Sequence, residues 1–505
     1  MRAVVKVGAG PVSWRDVVDV ARHGAVLELE VCAWNRIGQV RAAVLDMAGT
    51  GTPYYGINTG LGALCDVVLE ADELHRLSRH TLMSHACGIG AALDVEQVRA
   101  IICCAVINFS HGCSGVSESV VEGLLGLLEH GVIPEVPAGG SVGYLSHMAH
   151  IGLALIGEGQ VLFEGRTLPA HRALEAIGMA PLVLGPKDGL CLVNGTPAMT
   201  GLACLALDDA QSLADWADVT AAMSFEALGG QRDALNEAII SRKRHPGVQR
   251  SARHLRRLLE GSAQLHASHG LHLQDALSIR SIPQVHGACR DQWCHAAEQV
   301  NAELNSATDN PLIVEEGGMF RVISQANPHG ESVAMACDLL AIAVCEWSGI
   351  AERRAYRLVT PQANRLPPFL TREGGIKSGM MIAQYSAASL VADNRRLAAP
   401  AVVDNFLTSG LQEDHLSLGE SAALKATKAL DNAFHVLAIE FLLAAQAFDL
   451  IEPRPFGWGT GQAWAWLRQH ISFYDEEHPL YLDIRSACAL MRSHEGRTVL
   501  QRWLY

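Results

Sequence analysis

The chain has 505 residues, with 39 Lys and Arg against 53 Asp and Glu, for a formal net charge of −14 with His neutral. That sign argues against a nucleic-acid or anionic-membrane partner, since both select for basic surfaces. Charged residues make up 18% and hydrophobic residues 49%, but aromatics only 6%, so the apolar content is mostly Ala, Leu, Val and Ile, the composition of a large helical core.

The N-terminal MRAVVKVGAG lacks the basic-then-apolar pattern of a secretory signal, and no uncharged apolar run approaches the ~20 residues that span a bilayer. Thirteen Cys form no CxxC pair, and Cys103-Cys104 sit inside an apolar run, so reduced, buried thiols in a soluble cytoplasmic protein are expected. Apolar residues at three- and four-residue steps predict helices over Val95 to Phe109, Val333 to Ile350 and Ala422 to Leu450. The stretch 421–450 holds neither Gly nor Pro for about eight turns, and a helix that is apolar all round must be buried, often against other subunits. Length alone allows about three domains. With no Ser/Gly linker or repeat, the expectation is one continuous all-α fold, a long-helix bundle. A loop-rich part over 1–193 passes into long helices over 194–505.

Short polar strings with tight turns punctuate the chain: YGINTGLG at 55–62, SHACGIG at 84–90, GGSVG at 139–143, LVNGT at 192–196, LQDALSIRSIPQ at 273–284, NSATDNPL at 305–312 and QEDHLSLG at 412–419. In this order, spread over most of the chain, they resemble the aromatic amino acid lyase family, and its histidine ammonia-lyases most closely. The resemblance implies the all-α histidine/phenylalanine ammonia-lyase fold, assembled as a homotetramer whose active sites mix loops from three subunits. It also implies that Tyr55 removes the β-proton of a small-molecule substrate. Arg280 would bind the substrate carboxylate as a bidentate fork, with Gln274 and Asn194 in support and Asn310 within reach. Glu413 stands where phenylalanine lyases carry Gln, and Ser84-His85 also matches the histidine enzymes. A carboxylate suits an imidazole, because it accepts the ring N–H and stabilises a cationic ring.

One part of the pattern breaks. In the family, GSVG is followed by Ala-Ser-Gly, which cyclises into the electrophilic 4-methylideneimidazol-5-one (MIO) group; here Gly143 is followed at once by YLSHMAH. Tyr144 replaces the Asp after the triplet, Leu277 the catalytic Tyr of QDxYS, Pro328 the Phe of NFH and Lys377 the Asn of NSG. Coordinated change of this kind implies a genuine deletion and a chain with no cofactor. The alternative is a self-processed MIO beside Gly143 that is not written in the sequence.

A quaternary nitrogen leaves without the help that MIO gives a primary amine. The resemblance therefore extends to ergothionase, a family member that eliminates trimethylamine from ergothioneine to give thiourocanate. In that reading Tyr55, Lys377 and Glu413 are catalytic, and Lys377 pairs with the thione sulfur while Glu413 holds a ring N–H. His85, Asn194, Gln274, Arg280, Asn310 and Tyr144 bind substrate, Tyr54 and Tyr144 offer aromatic faces to the trimethylammonium head, and Leu277 makes room. An MIO-dependent ammonia-lyase or aminomutase and an inactive oligomeric relative are the other readings. His266, His269 and His272 lack a Cys or HExxH context, so no metal is expected, and no GxGxxG follows a strand to suggest a nucleotide.

Overall fold

The computed structural model describes residues 3–70, 72–270 and 273–505. His272, one of the three spaced histidines, lies outside them. Five helices dominate: α1 Val95–Ser110, α2 Pro197–Ala227, α3 Ile282–Leu304, α4 Glu331–Val359 and α5 Gly419–Leu450. Helix α1 starts at Asp94, whose backbone N–H donates to Gln97 Oε1 at 2.9 Å, and from Ala100 to Ser110 every residue is buried. By length and composition alone, three helical stretches could cross a membrane, Asp188–Ala227, Asn327–Val359 and Gly419–Leu450, yet their most apolar windows are 100%, 61% and 83% buried inside the fold. The apolar excess therefore serves packing.

Contacts divide the chain into two units, and not at a single point near residue 193. One comprises Met1–Asp208, Ala296–Asp338 and Pro400–Leu424; the other Asp209–His295, Leu339–Ala399 and Lys425–Tyr505. The second unit concentrates the scarce aromatics. Trp216 packs on Phe441 at 5.5 Å, on Trp466 at 5.6 Å and edge-on to Trp503 at 6.0 Å between ring centroids. A fully buried Arg354–Glu440 pair lies in the same unit, with Thr220 and Ser224 hydroxyls donating to the same carboxylate.

Strands are short and local. In the first unit Leu312–Glu316 pairs antiparallel with Met319–Ile323 across Gly317-Gly318, both at positive φ (62° and 81°), as a tight two-residue turn requires. This hairpin brings the residues flanking its open end, Asn310 and Gln325, together. All thirteen cysteines are free thiols, and seven of them are buried.

Candidate functional site

In the first unit, a cavity of about 1000 Å³ opens among loops. Tyr55, His85, Tyr144, Asn194, Asn310 and Glu413 line it, gathering six of the nine residues expected from the sequence. Tyr55 lies in the turn-rich loop after Pro53, and the Gly62 backbone N–H faces its hydroxyl oxygen at 3.5 Å. His85 ends the helix Leu74–His85, its Nδ1 2.7 Å from Thr81 O and 3.0 Å from Ser84 Oγ. Asn194 caps the short helix Asp188–Val193; its amide donates to Asp309 Oδ1 (3.0 Å) and Asn310 O (2.7 Å). The Asn310 side-chain oxygen accepts from Gln325 N at 2.8 Å, so the hairpin fixes its direction.

Behind these lies a pair that sequence reasoning missed. Lys187 is buried, with Nζ 2.9 Å from Asp309 Oδ2, and the other oxygen of that carboxylate holds Asn194 and the Asn310 N–H (2.7 Å). The two are 122 positions apart, beyond any local pattern, and in the structure Lys187 occupies φ 65°, a conformation non-glycine residues rarely adopt.

Tyr144 hydrogen-bonds Glu413, and burial together with that carboxylate pushes its phenol well above the ordinary range. Burial likewise raises the Tyr55 phenol; the Gly62 N–H pulls the other way, Cys65 and Glu413 add to the rise, and the Lys187 charge opposes it. The Lys187 charge therefore does not outweigh burial. Glu413 is fixed by its own backbone, Thr408 N–H donating to its carbonyl at 2.9 Å, and accepts weakly from Thr408 Oγ1 at 3.4 Å.

Three expected residues are not among those lining the cavity. Arg280 donates through Nε to Asp275 O (3.0 Å), and with the Gln274 amide oriented to satisfy it, the Gln274 oxygen faces the guanidinium, 2.6 Å from one of its nitrogens. Lys377 is engaged by Glu373 (2.6 Å), Glu476 (3.2 Å) and Asp475 O (2.8 Å), and the two carboxylates raise its pKa. Leu277 is exposed and also lies outside the cavity lining, whereas Pro328 lines it. Tyr54 corrects an expectation too: it packs against the cluster of Val40, Val44, Ile57 and Ile313 and does not line the cavity, because its ring completes that small core.

The lining includes the carboxylates of Asp66, Glu413 and Asp414, the two tyrosines, and no Lys or Arg among the described residues. Asp66 and Asp414 were not foreseen; only the second falls in a quoted motif.

The aromatic amino acid lyase profile matches residues 12–469. A histidine ammonia-lyase of Treponema denticola is 42% identical over 98% of this chain and 98% of its own length. The crystal structure of histidine ammonia-lyase from Trypanosoma cruzi superposes with a TM-score of 0.92 at 34% identity, covering 100% of this chain and 96% of that one. Ergothionase from Treponema denticola, solved with desmethyl-ergothioneine sulfonic acid, superposes with a TM-score of 0.92 at 29% identity over 98% and 99% of the two chains.

These relatives correct the expectation of a chain without a cofactor. Histidine ammonia-lyases that align over nearly the whole sequence carry MIO, which overturns that reading in favour of its alternative, a self-processed group beside Gly143. Residues 143–146 do not fit the group as they stand, being Gly-Tyr-Leu-Ser. Gly143 lies at φ 139°, where an added Cβ would come within 2.7 Å of Ser417 Oγ, and Leu145 is forced to φ 82°. The backbone is strained where the ring-forming triplet would belong.

Proposed function

We infer the function from the premise that this chain belongs to the aromatic amino acid lyase family and is a carbon–nitrogen lyase. We propose that it acts on a histidine-derived betaine, ergothioneine or a near relative, and eliminates trimethylamine to give thiourocanate. The observation that carries this reading is the cavity wall, with Asp66, Glu413, Asp414, two tyrosine rings and no Lys or Arg among its described residues. A quaternary ammonium head is favoured there both by the carboxylates and by ring faces, and it cannot escape the site's field by giving up a proton.

The chain's own residues supply the proton chemistry. Tyr55, raised by burial, is brought down when a permanent cation lies beside it, and its phenolate takes the β-proton. The C–H electron pair becomes the Cα–Cβ double bond, and the C–N pair departs with trimethylamine. Glu413 accepts a ring N–H, His85 and Asn194 line the same space, and Tyr144 offers its face to the methyl groups. Gln274, Arg280 and Lys377 are proposed to reach the site from neighbouring copies in a homotetramer, as the family resemblance implies. Lys377 then exchanges its present acidic partners for the thione sulfur, and Arg280 turns from Gln274 to the substrate carboxylate. The enzyme is proposed to work as a soluble cytoplasmic protein.

A second reading, MIO-dependent histidine ammonia-lyase, is favoured by the 42% identity to such an enzyme over nearly the full length. Incubating the purified chain with ergothioneine and separately with histidine, alongside an intact mass, divides the two. Trimethylamine and strongly absorbing thiourocanate from the first substrate support the proposal. Urocanate and ammonia from the second, with a mass larger by a dehydrated Ala-Ser-Gly, replace it with the second reading; binding without turnover points to an inactive relative. Mixing inactive Tyr55→Phe and Arg280→Lys chains under conditions that exchange subunits tests shared sites. Recovered activity is expected, and none would exclude sharing.

A further inference from the structure

We propose that His329, His415 and Glu331 form a binding site for a divalent transition-metal ion of the zinc class on the cavity wall. No pattern in the sequence announces it, because the fold brings the two imidazoles together from positions 86 residues apart. One donor atom from each of the three side chains lies within 4.8 Å of the others. His329 Nε2 and His415 Nδ1 are 3.4 Å apart, close to the ~3.3 Å separating two nitrogens held tetrahedrally on one zinc ion. The rings are tilted by 34°, with centroids 5.5 Å apart, so neither stacks over the other's donor face.

The second, independent observation is the carboxylate. Glu331 Oε2 is shielded from solvent and has no hydrogen-bond partner, in a side chain otherwise 41% exposed, and it faces His329 Nδ1 at 3.5 Å, the ring nitrogen other than the Nε2 that meets His415. A bare carboxylate oxygen out of water is stabilised by a cation, either bound directly or through the imidazole that it orients. Local geometry favours the grouping. His329 closes the turn Asn327–His329, Gly330 takes φ 73°, and Glu331 opens α4, so the loop is folded back on itself at this point. His329 Nε2 lies 3.1 Å from His415 O, a hydrogen bond that coordination through this nitrogen would replace. The surrounding wall, with Asp66, Glu413 and Asp414 and no Lys or Arg among the described lining residues, attracts a cation. Two imidazoles, with a carboxylate bound directly or behind one of them, select a borderline ion over calcium or magnesium, and so small a donor set leaves at least one coordination position open to the cavity.

The site stands independently of the substrate reading, and its test reads binding. Zinc titration of the full-length protein against a chromophoric chelator is expected to give one ion per chain at neutral pH. Binding is expected to weaken in acid, because protons compete for the same donors. His329→Gln and His415→Gln should each weaken binding by at least about tenfold to a hundredfold, and the milder Glu331→Gln less. Helical circular dichroism shows whether each variant is folded. A Cys87→Ser/Cys294→Ser variant, lacking the two exposed thiols, should bind as the parent does. Cobalt substitution should give the intense visible bands of a tetrahedral site, shifted by added imidazole. The proposal is overturned if no ion binds, if the double histidine variant binds like the parent, or if removing the thiols abolishes binding.

Discussion

Two regions of this molecule gather histidines and carboxylates, and they differ in whether the groups are closed on themselves. In the second unit, Asp218 is completely buried, with one oxygen 2.7 Å from His286 Nδ1 and the other bound by His254 Nδ1 at 2.9 Å and Arg290 at 2.7 Å. Arg290 also pairs with Asp215 at 2.9 Å, and the Tyr505 hydroxyl faces that second carboxylate at 3.3 Å. Burial alone would raise the Asp218 pKa, but Arg290 and the two imidazoles outweigh it and hold the carboxyl well below its usual range. In the cavity of the first unit, Glu413 meets Tyr144 and, at long range, Thr408 among the described residues, and open volume lies before it. A carboxylate with both oxygens paired inside a core makes structure, whereas one with an oxygen turned to a cavity leaves capacity for a ligand.

Exchanging a single atom in each region sharpens the contrast. Tyr55→Phe removes the proposed base and should lower kcat by about 10²- to 10⁴-fold with the denaturation midpoint nearly unchanged. Steady-state kinetics and a urea titration of the same sample check both halves; retained turnover would remove Tyr55 from the chemistry. In the parent, kcat/KM should rise with pH on its acid side, because the base works only as phenolate and burial has raised its pKa. Asp218→Asn should do the reverse in the closed region. It removes the carboxylate that Arg290 shares with two imidazoles, Asp215 remaining beside Arg290, at a cost of about 3–5 kcal/mol in stability. Since the carboxyl is depressed in the folded state, its contribution is present above its unfolded pKa near 3.9 and fades as pH falls through the folded value. A stability loss below 1 kcal/mol at neutral pH would mean that the network does not bear on the fold.

Glu413→Gln should have an intermediate effect, confined to recognition. A charge-assisted hydrogen bond to an imidazole N–H is worth roughly 1.5–3 kcal/mol, hence a loss of about 10- to 150-fold in kcat/KM for ring-bearing substrates. An equal loss on an analogue without a ring N–H would show that Glu413 serves the loop and not the ring.

The same contrast explains what the sequence made legible. Helices α1 and α5 follow from the spacing of apolar residues because both are buried nearly all round. The run predicted from Val333 to Ile350 is α4, which continues to Val359 because Arg354, which looks like an exposed end, is buried against Glu440. Helix α2 was not singled out, because Asp208, Asp209, Asp215 and Asp218 interrupt its apolar pattern; all four are buried, with partners such as Arg22 and Arg290. Short motifs located Tyr55, His85, Asn194, Asn310 and Glu413, whose types and turns are local features. Lys187 with Asp309, and His329 with His415, were not legible as pairs, because only tertiary folding brings them together.

The smallest expected effect lies between the two extremes, where a paired group borders the cavity loop. His147 Nδ1 is 3.3 Å from Glu420 Oε1, both nearly inaccessible, and Ser141 donates to the other Glu420 oxygen at 2.5 Å, tying the loop before Tyr144 to α5. Burial by itself lowers the His147 pKa, but the adjacent Glu420 carboxylate, with Ala138 O, raises it above the ordinary value. A raised imidazole contributes stability that is fully present below its unfolded pKa of about 6.5 and is lost as pH rises through the folded value. Glu420→Gln keeps the shape and removes the charge. The stability gap between parent and variant, read from urea midpoints, should therefore be widest near about pH 6 and narrow steadily toward about pH 9. A gap that is constant, or that widens with pH, would mean that His147 is neutral in the folded protein. Glu420 would then anchor the loop through Ser141 alone, placing this border with the open region and not with the closed one.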